Sequence, residues 1–201
     1  MASVKQITIW ARGAIQDKEG RDIANGIAAA ADYEGKFTQA FDNYVDLPDR
    51  VNVPLRKYAR ISDEEIEERY EYENANPEIV ILTDATIVKG MNVLRGMPKG
   101  GTLVVNTDRT PDDILKFVPN KELLKQVVCV DATAICGGHT VDFSGSEGGI
   151  DSVGIGAGVA APILGALVKG TKVVKLESLS KVVQNSEAML KGYDQAQVKT
   201  L

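Results

Sequence analysis

The stretch Ile7-Thr8-Ile9-Trp10-Ala11-Arg12-Gly13 opens the chain and decides its fold. Its apolar and β-branched residues predict a strand, and Gly13 begins a sharp turn that extends to Gly20. Residues 22–31 then repeat apolar side chains at helical spacing, and Gly35 is a suitable left-handed cap for that helix. Because such a turn directs unpaired backbone N–H groups and the positive helix end toward one point, it predicts an anion site.

Three further runs are apolar throughout and rich in β-branched residues, as strands buried on both faces are. They occupy residues 79–82, 102–105 and 127–130. Helical patterns over residues 87–97 and 111–117 separate them. Strand alternating with helix predicts an α/β fold, with a mostly parallel twisted sheet and helices on both faces in a Rossmann-like three-layer arrangement.

The remaining segments add to this unit. Residues 36–61 have the pattern of two strands around a loop, which predicts an added β-hairpin-like segment. Ser62 and Glu65 form a capping box ahead of an acidic run, which predicts a solvated helix to residue 76. Residues 159–168 and 178–190 predict helices, with Pro162 in the first turn of the former.

Composition limits the function classes. A chain of 201 residues, 44% of them hydrophobic, is long enough for one well-buried core, so we expect a single domain over residues 1–201. A net charge of −5 disfavours nucleic acid as a partner. Two cysteines and one histidine make a protein-only zinc or iron–sulfur site improbable. The sequence carries no signal-like or membrane-spanning run, so we expect a reducing, cytoplasmic compartment.

Small polar residues follow each of the three buried strands. They are Thr83-Asp84, Asn106-Thr107-Asp108 and Asp131-Ala132-Thr133. In an open α/β sheet, ligands bind beyond the carboxyl ends of the strands. The same residue types are also ordinary helix N-caps, the commoner role for any one of them. Only their convergence in space would indicate a binding site.

The opening turn is a second candidate site. Its glycine spacing matches neither the dinucleotide-binding fingerprint nor the P-loop. Arg12 and Lys18 are placed to neutralise a phosphate at the start of the helix, whereas Asp17 and Glu19 in the same segment oppose one.

The glycine-dense residues 137–158 and the cysteines before them complete the candidates. Gly154-x-Gly156-x-Gly158 precedes a helix and is suited either to a phosphate or, more simply, to contact with a partner. Cys136 and His139 are close enough in sequence for a nucleophile and base, but a glycine-rich loop does not fix their geometry, so no catalytic dyad is expected. Cys129 lies in an apolar strand and is expected to be a small buried hydrophobe.

The order of these segments resembles that of the gamma subunit, or gamma domain, of the 2-oxoacid:ferredoxin (acceptor) oxidoreductases. The segments that carry the likeness are Ile7 to Gly13 with Gly20, Phe41-Asp42-Asn43-Tyr44, Val53-Pro54-Leu55-Arg56-Lys57-Tyr58-Ala59-Arg60-Ile61-Ser62, Leu103-Val104-Val105-Asn106-Thr107, Val130-Asp131-Ala132-Thr133, Ile163-Leu164-Gly165-Ala166-Leu167 and Leu176-Glu177-Ser178-Leu179. The opening turn is wider than the family's, and the acidic and glycine-rich segments are longer. The chain therefore resembles a divergent member, which suggests an unusual 2-oxoacid such as an aryl glyoxylate (phenylglyoxylate type).

The resemblance implies a division of labour. Alpha, beta and delta-type subunits would hold thiamine diphosphate, Mg²⁺ and [4Fe–4S] clusters, decarboxylate the 2-oxoacid and pass electrons to ferredoxin or another acceptor. The gamma chain would hold no cofactor by itself and would border the route of coenzyme A (CoA). The implied CoA contacts are Arg12, Gly13, Lys18 and Gly20, and the implied subunit contacts are Arg50 and Arg56.

The sequence is also compatible with two different functions. One is a stand-alone α/β enzyme that binds a nucleotide or CoA, and the other is a purely structural subunit that binds no ligand. A stand-alone enzyme would be stabilised by its ligand as an isolated chain, since a ligand that binds the native state raises its stability.

Overall fold

The computed structural model describes residues 3–13, 16–42, 53–137 and 154–201. Seven strands form one sheet in the order β2-β3-β1-β4-β5-β6-β7. The strands are β1 (Lys5–Arg12), β2 (Phe37–Asp42), β3 (Pro54–Ser62), β4 (Ile79–Leu82), β5 (Gly101–Asn106), β6 (Leu124–Val130) and β7 (Gln197–Thr200). Strands β1, β4, β5 and β6 are parallel, whereas β2, β3 and β7 add antiparallel edges. The predicted α/β sheet with its added hairpin is therefore confirmed.

The helices cover the two faces of the sheet unequally. They are α1 (Asp17–Tyr33), α2 (Pro111–Leu115), α3 (Ala132–Ile135), α4 (Ala160–Thr171), α5 (Leu176–Val182) and α6 (Ser186–Gln195). The longer helices α1, α4 and α6 pack on one face, where they bury the larger apolar core. The short helix α2 and a 3₁₀ turn, Ala85–Lys89, cover the other face. Among the helices of the described residues, none is long and apolar enough to cross a lipid bilayer.

Several predicted helix boundaries are confirmed. Helix α1 is followed by Gly35 at φ +78°, the left-handed conformation that glycine adopts at little cost. Pro111 occupies the first turn of α2, and Pro162 lies in the first turn of α4. A proline is tolerated at these positions because the first-turn N–H groups have no partner within the helix.

The helix predicted over residues 87–97 is wrong. Only the 3₁₀ turn Ala85–Lys89 forms, and Gly90 ends it by donating its N–H to the Ile87 carbonyl at 3.3 Å. Gly96 then takes φ +81°, where a side chain would meet the carbonyl oxygen of Ala75. The apolar residues of the segment are buried as expected, but these two glycines divide it into turns.

The single helix predicted over residues 178–190 is also wrong, because two helices replace it. Between α5 and α6 the chain turns toward the glycine-rich segment, where Gln184 N donates to Ile155 O at 2.8 Å and Asn185 N to Gly156 O at 3.2 Å. The Asn185 side chain then caps α6 by accepting from Ala188 N at 3.0 Å. Backbone pairing with a distant segment therefore overrides the helical pattern.

The acidic helix predicted over residues 62–76 is not formed, since this segment is irregular. Ser62 ends β3 and accepts from Glu64 N rather than closing the predicted capping box. The segment lies across β3 and is held by Arg60, which is only 2% exposed. The Arg60 guanidinium donates to Asn74 Oδ1 at 2.8 Å, to two backbone carbonyls of the segment and to the Glu71 carboxylate. One buried cation thus replaces helical hydrogen bonding.

Helices α4 and α6 cross with their backbones in contact. A β-carbon at Gly165 would lie 2.0 Å from Met189 O, and one at Gly192 would lie 2.2 Å from Pro162 O. Only glycine permits this approach, which brings α6 onto the layer that covers the sheet.

We expect Gly165→Ala to lower the free energy of unfolding by about 3 kcal/mol, because a methyl group at this crossing must push two backbones apart. Chemical denaturation of the purified chain measures the difference. Gly90→Ala is the matched control, since a β-carbon there meets nothing within 4 Å. Equal stability of the two variants would contradict the backbone-to-backbone crossing.

Arg60→Met should cost about 3–5 kcal/mol, because it leaves the partners of a buried cation without donors. Proteolysis should then cleave residues 63–76 faster than in the unmodified chain, since nothing else on β3 holds them to the same extent. Arg69→Met is the control, because the Arg69 side chain is 58% exposed rather than buried. A segment that resists cleavage in Arg60→Met would rule out the anchoring role.

Candidate functional site

The polar residues that follow the parallel strands meet at one cleft of about 600 Å³. Its lining comes from Gln16 at the start of α1, from the carboxyl ends of β4, β5 and β6 and from the segments that follow these strands. The residues at and after the strand ends are Thr83, Asp84, Ala85, Thr86, Val88, Lys89, Asn106, Thr107, Asp108, Arg109, Ile114, Phe117, Asp131, Thr133 and Ala134. The convergence that would indicate a binding site is therefore present. We call this the strand-end cleft.

Asn106 joins three strand ends beneath the cleft. Its side-chain amide donates to Thr83 O at 2.9 Å and to Thr133 Oγ1 at 3.1 Å, and its Oδ1 accepts from Ala132 N at 3.0 Å. The helix-capping role is also present, because Asp84 accepts from Thr86 N and Asp131 from Ala134 N. Capping and convergence are thus compatible, and the network fixes the floor of the cleft.

Arg12 lies beside the cleft and is anchored there. Its Nε donates to Asp84 Oδ2 at 3.0 Å and its Nη2 to Thr86 Oγ1 at 2.8 Å, while 31% of its side chain stays exposed. Gln16 Oε1 accepts from Arg12 N and from the Thr83 hydroxyl, which ties the opening turn to β4. Arg12, the last residue of β1, therefore places its guanidinium in a fixed position at the edge of the cleft.

The wall of the cleft carries two cations and an aromatic ring that the sequence reasoning missed. Arg109 is exposed, and its side chain has no partner among the described residues. The Lys89 ammonium lies 5.5 Å from the centre of the Phe117 ring, which is 41% exposed. Arg109 follows the polar triplet after β5 directly, so extending that motif by one residue would have found it.

The other residues predicted for the anion turn have structural partners. Gly13 takes φ +61° and donates its N–H to Val53 O at 2.8 Å. Lys18 is 5% exposed and its Nζ donates to both carboxylate oxygens of Asp22, at 2.9 and 2.8 Å. Gly20 lies inside α1, where a β-carbon would be 3.1 Å from Ala11 Cβ. Whether Arg12, Gly13, Lys18 and Gly20 contact CoA stays a prediction, and only Arg12 stands beside the strand-end cleft.

Two carboxylates of the chain occupy the glycine loop whose sequence suits a phosphate. Asp22 accepts from Gly156 N at 2.9 Å, and Glu19 accepts from Ala160 N at 2.8 Å. A β-carbon at Gly158 would lie 2.1 Å from Glu19 Oε1, so the glycine makes room for this side chain. The chain therefore supplies its own anion to the start of α4, which disfavours a phosphate at Gly154-x-Gly156-x-Gly158, the less simple of the two roles expected from the sequence.

The cysteines are protonated thiols rather than activated nucleophiles. Burial raises the pKa of the Cys129 thiol to about 12, which confirms its role as a small buried hydrophobe. Burial, and then the charge of Glu19, raises the pKa of Cys136 as well, while His139 lies outside the described residues. No group of three His, Cys, Asp or Glu side chains in the described parts of the chain is placed to hold a metal ion.

Of the two arginines predicted for subunit contact, the structure describes only Arg56. Arg50 lies outside the described residues. Arg56 lies on β3, where it pairs with Glu73 at 2.8 Å and stands 5.5 Å above the centre of the Trp10 ring. Its position on the hairpin face separates it from the strand-end cleft.

Glu19→Gln should stabilise the chain increasingly as the pH rises above 4.5. Burial raises the pKa of Glu19 above its ordinary 4.5, so the folded state holds this proton more tightly than the unfolded state. The stability that Glu19 contributes is therefore complete below pH 4.5 and decreases as the pH rises through the folded pKa. Glutamine can still accept from Ala160 N without ionising, so the gain should be about 1.4 kcal/mol for each unit of pKa shift.

Urea denaturation at several pH values measures this gain. Glu187→Gln is the control, because its exposed carboxylate has a pKa lowered by hydrogen bonding to Lys191 and should give no gain on raising the pH. A difference between Glu19→Gln and the unmodified chain that does not change with pH would contradict the role of Glu19.

Comparisons with known proteins agree on one family. The family model described as pyruvate ferredoxin/flavodoxin oxidoreductase matches residues 20–194. The chain is 30% identical over 184 residues to the pyruvate synthase subunit PorC of Thermotoga maritima, covering 84% of each chain. It is 29% identical over 163 residues to the pyruvate/ketoisovalerate oxidoreductases common subunit gamma of Thermococcus litoralis, covering 81% of this chain and 77% of that one.

The fold agrees with these sequence relatives. The crystal structure of the pyruvate oxidoreductase subunit PORC from Thermotoga maritima superimposes with a TM-score of 0.70 at 25% identity, covering 98% of both chains. The family model spans well over half of the chain, and a relative at 30% identity covers more than two thirds of it. The chain therefore belongs to the pyruvate ferredoxin/flavodoxin oxidoreductase family, as a subunit of the gamma type.

Proposed function

We propose that this chain is a noncatalytic gamma subunit that binds the nucleotide end of CoA in the strand-end cleft. It would act within a multisubunit enzyme that converts a 2-oxoacid and CoA to an acyl-CoA and CO2, passing electrons to ferredoxin or another acceptor. The observation that carries the proposal is the cleft itself, a cavity of about 600 Å³ at the carboxyl ends of the parallel strands. Nucleotides commonly bind at this edge of an α/β sheet.

The cleft wall suits the nucleotide end of CoA, which carries phosphates and an adenine ring. Arg109 presents a guanidinium with no partner among the described residues, and Lys89 adds a second positive charge. Phe117 offers an exposed ring on which an adenine can stack. Arginine is favoured for phosphates because its planar group can donate two parallel hydrogen bonds.

Arg12 contributes to the same site as an anchored rim residue. Its bonds to Asp84 and Thr86 hold the guanidinium next to the cleft without filling the cavity. Lys18 and Gly20 act only indirectly: Lys18 pairs with Asp22 within α1, and Gly20 lets α1 pack closely on Ala11, the neighbour of Arg12 on β1. We therefore assign phosphate contact to Arg12, Lys89 and Arg109, and positioning to the residues of α1.

The chemistry of decarboxylation and electron transfer belongs to other subunits in this proposal. A [4Fe–4S] cluster takes four cysteine ligands, and this chain has two cysteines. Thiamine diphosphate and Mg²⁺ would be bound by the alpha, beta and delta-type partners together with the 2-oxoacid. The aryl glyoxylate suggested by the divergent sequence stays a prediction, because the oxoacid would not contact this chain.

Reversing the charges at Lys89 and Arg109 should raise the KM for CoA about tenfold in the assembled complex, equivalent to about 1.4 kcal/mol of binding. The kcat at saturating CoA should not change, because these contacts would hold the bound nucleotide equally before and during the reaction. Steady-state kinetics with varied CoA on Lys89→Glu/Arg109→Glu measures both constants. Lys125→Glu is the control, since Lys125 is exposed near the other end of β6.

An unchanged KM for CoA in the double variant would overturn the cleft assignment.

Thermal denaturation of the isolated chain with CoA or NAD separates the competing functions. A large ligand-induced rise in Tm would favour a stand-alone nucleotide-binding enzyme. A purely structural role would be favoured if CoA does not raise the Tm of the isolated chain and if substitutions in this subunit do not change the KM of the complex for CoA.

A further inference from the structure

A second cavity of about 610 Å³ lies on the hairpin side of the sheet, away from the strand-end cleft. Its floor is formed by Thr8 and Trp10 on β1, and its sides by the start of β3 and the turns around residues 91–96. None of the described residues that line it lies in a helix, and the end of the acidic segment, at Glu73, Asn74 and Ala75, forms part of its wall. We call this cavity the tryptophan groove.

Two polar atoms at the floor of the groove have no hydrogen-bond partner within the described structure. Trp10 Nε1 and Thr8 Oγ1 are both buried, in residues that are 7% and 5% exposed. Buried polar groups are nearly always paired, and leaving one unpaired costs about 1–3 kcal/mol. An indole N–H can only donate, so the missing partner of Trp10 must be an acceptor.

The groove also carries more positive than negative charge. Arg56 and Arg95 line it, and Glu73 is the one carboxylate among its described lining residues. Glu73 pairs with Arg56 at 2.8 Å. Arg95 is exposed, and its side chain has no partner among the described residues. The groove is therefore complementary to one further negative charge.

Apolar side chains contribute part of the groove wall. They belong to Pro54, Leu55, Pro77, Met91 and Val93, of which Leu55, Pro77 and Val93 are buried. Met91 is 40% exposed, and Val53 beside the groove is equally exposed. Exposed apolar side chains next to unpaired polar groups are typical of a surface that is buried in a complex.

We propose that the tryptophan groove binds an acidic segment of another subunit of the oxidoreductase complex. A carboxylate of that segment pairs with Arg95, and its apolar side chains cover Met91. A shift of the covering side chains opens Trp10 Nε1 and Thr8 Oγ1, which are closed off in the free chain, to oxygen acceptors of the segment. The proposal rests on the gamma-subunit function and specifies the chemistry of one of its contacts. It places Arg56, a predicted partner contact, at the same surface, where its guanidinium stacks over the groove floor and pairs with Glu73.

Site-specific crosslinking in the purified complex tests the occupant directly. A benzophenone amino acid in place of Met91, followed by mass spectrometry, should identify one peptide from another subunit with Asp or Glu near the crosslinked position. A benzophenone in place of Leu190, which is 46% exposed on α6, controls for nonspecific reaction. An intact complex with no crosslink at position 91, or a crosslinked segment without an acidic residue, would overturn the proposal.

Two substitutions test the chemistry of the groove. Arg95→Glu should weaken association of this chain with the other subunits about tenfold at low salt, and the effect should shrink as salt rises. Thr8→Val should weaken association while leaving the Tm of the isolated chain unchanged or higher, because it removes a buried hydroxyl that has no partner. Lys125→Glu is the charge-reversal control. Association unchanged in both variants would overturn the proposal.

A free organic acid is the competing occupant. Trp10 is the only tryptophan of the chain, so its fluorescence reports on the groove without interference. If pyruvate quenches the Trp10 fluorescence of the isolated chain saturably, and no crosslink forms at position 91 in the complex, the occupant of the groove is a small acid rather than a segment of another subunit. If the other subunits do not copurify at all, the gamma-subunit function itself fails, whereas an intact, CoA-dependent complex with an empty groove refutes only this inference.

Discussion

The pairing of two carboxylates of α1 with the backbone ahead of α4 is the interaction on which the rest of the structure depends. Glu19 and Asp22 accept from the N–H groups of Ala160 and Gly156, and Lys18 balances their charge within the same buried space. These bonds join the opening strand–turn–helix unit to the C-terminal helices. Because a helix start attracts negative charge, a carboxylate on α1 satisfies α4 in the way a bound phosphate would.

These carboxylates fill the glycine loop, and the two cavities of the sheet lie outside that loop. The strand ends of β4, β5 and β6 form a separate cavity beside the opening turn. Asn106 fixes its floor, and the cations of its wall stay available for a ligand. The tryptophan groove lies on the hairpin strands, so the nucleotide and a partner subunit would approach separate parts of one sheet.

The sequence predicted most of the sheet because its parallel strands are buried on both faces, and such strands are continuous apolar runs. It also predicted which residues end these strands, and hence the floor of the cleft. It missed Arg109 and Phe117, because their role in the cleft depends on which side chains lie near them in space. It predicted a helix over residues 62–76 from local charge and capping, whereas the buried Arg60 provides competing bonds that no local pattern reveals.

The sequence by itself determined the α/β class, the central parallel strands and the polar strand ends, because each depends on residues close together in the chain. Only the tertiary structure decided that α5 and α6 are separate helices and that the glycine loop is already occupied. These outcomes depend on partners far apart in sequence, such as Glu19 with Ala160 or Gln184 with Ile155. Long-range hydrogen bonds and burial override local preference there, because an unpaired buried polar group costs more than a helix propensity supplies.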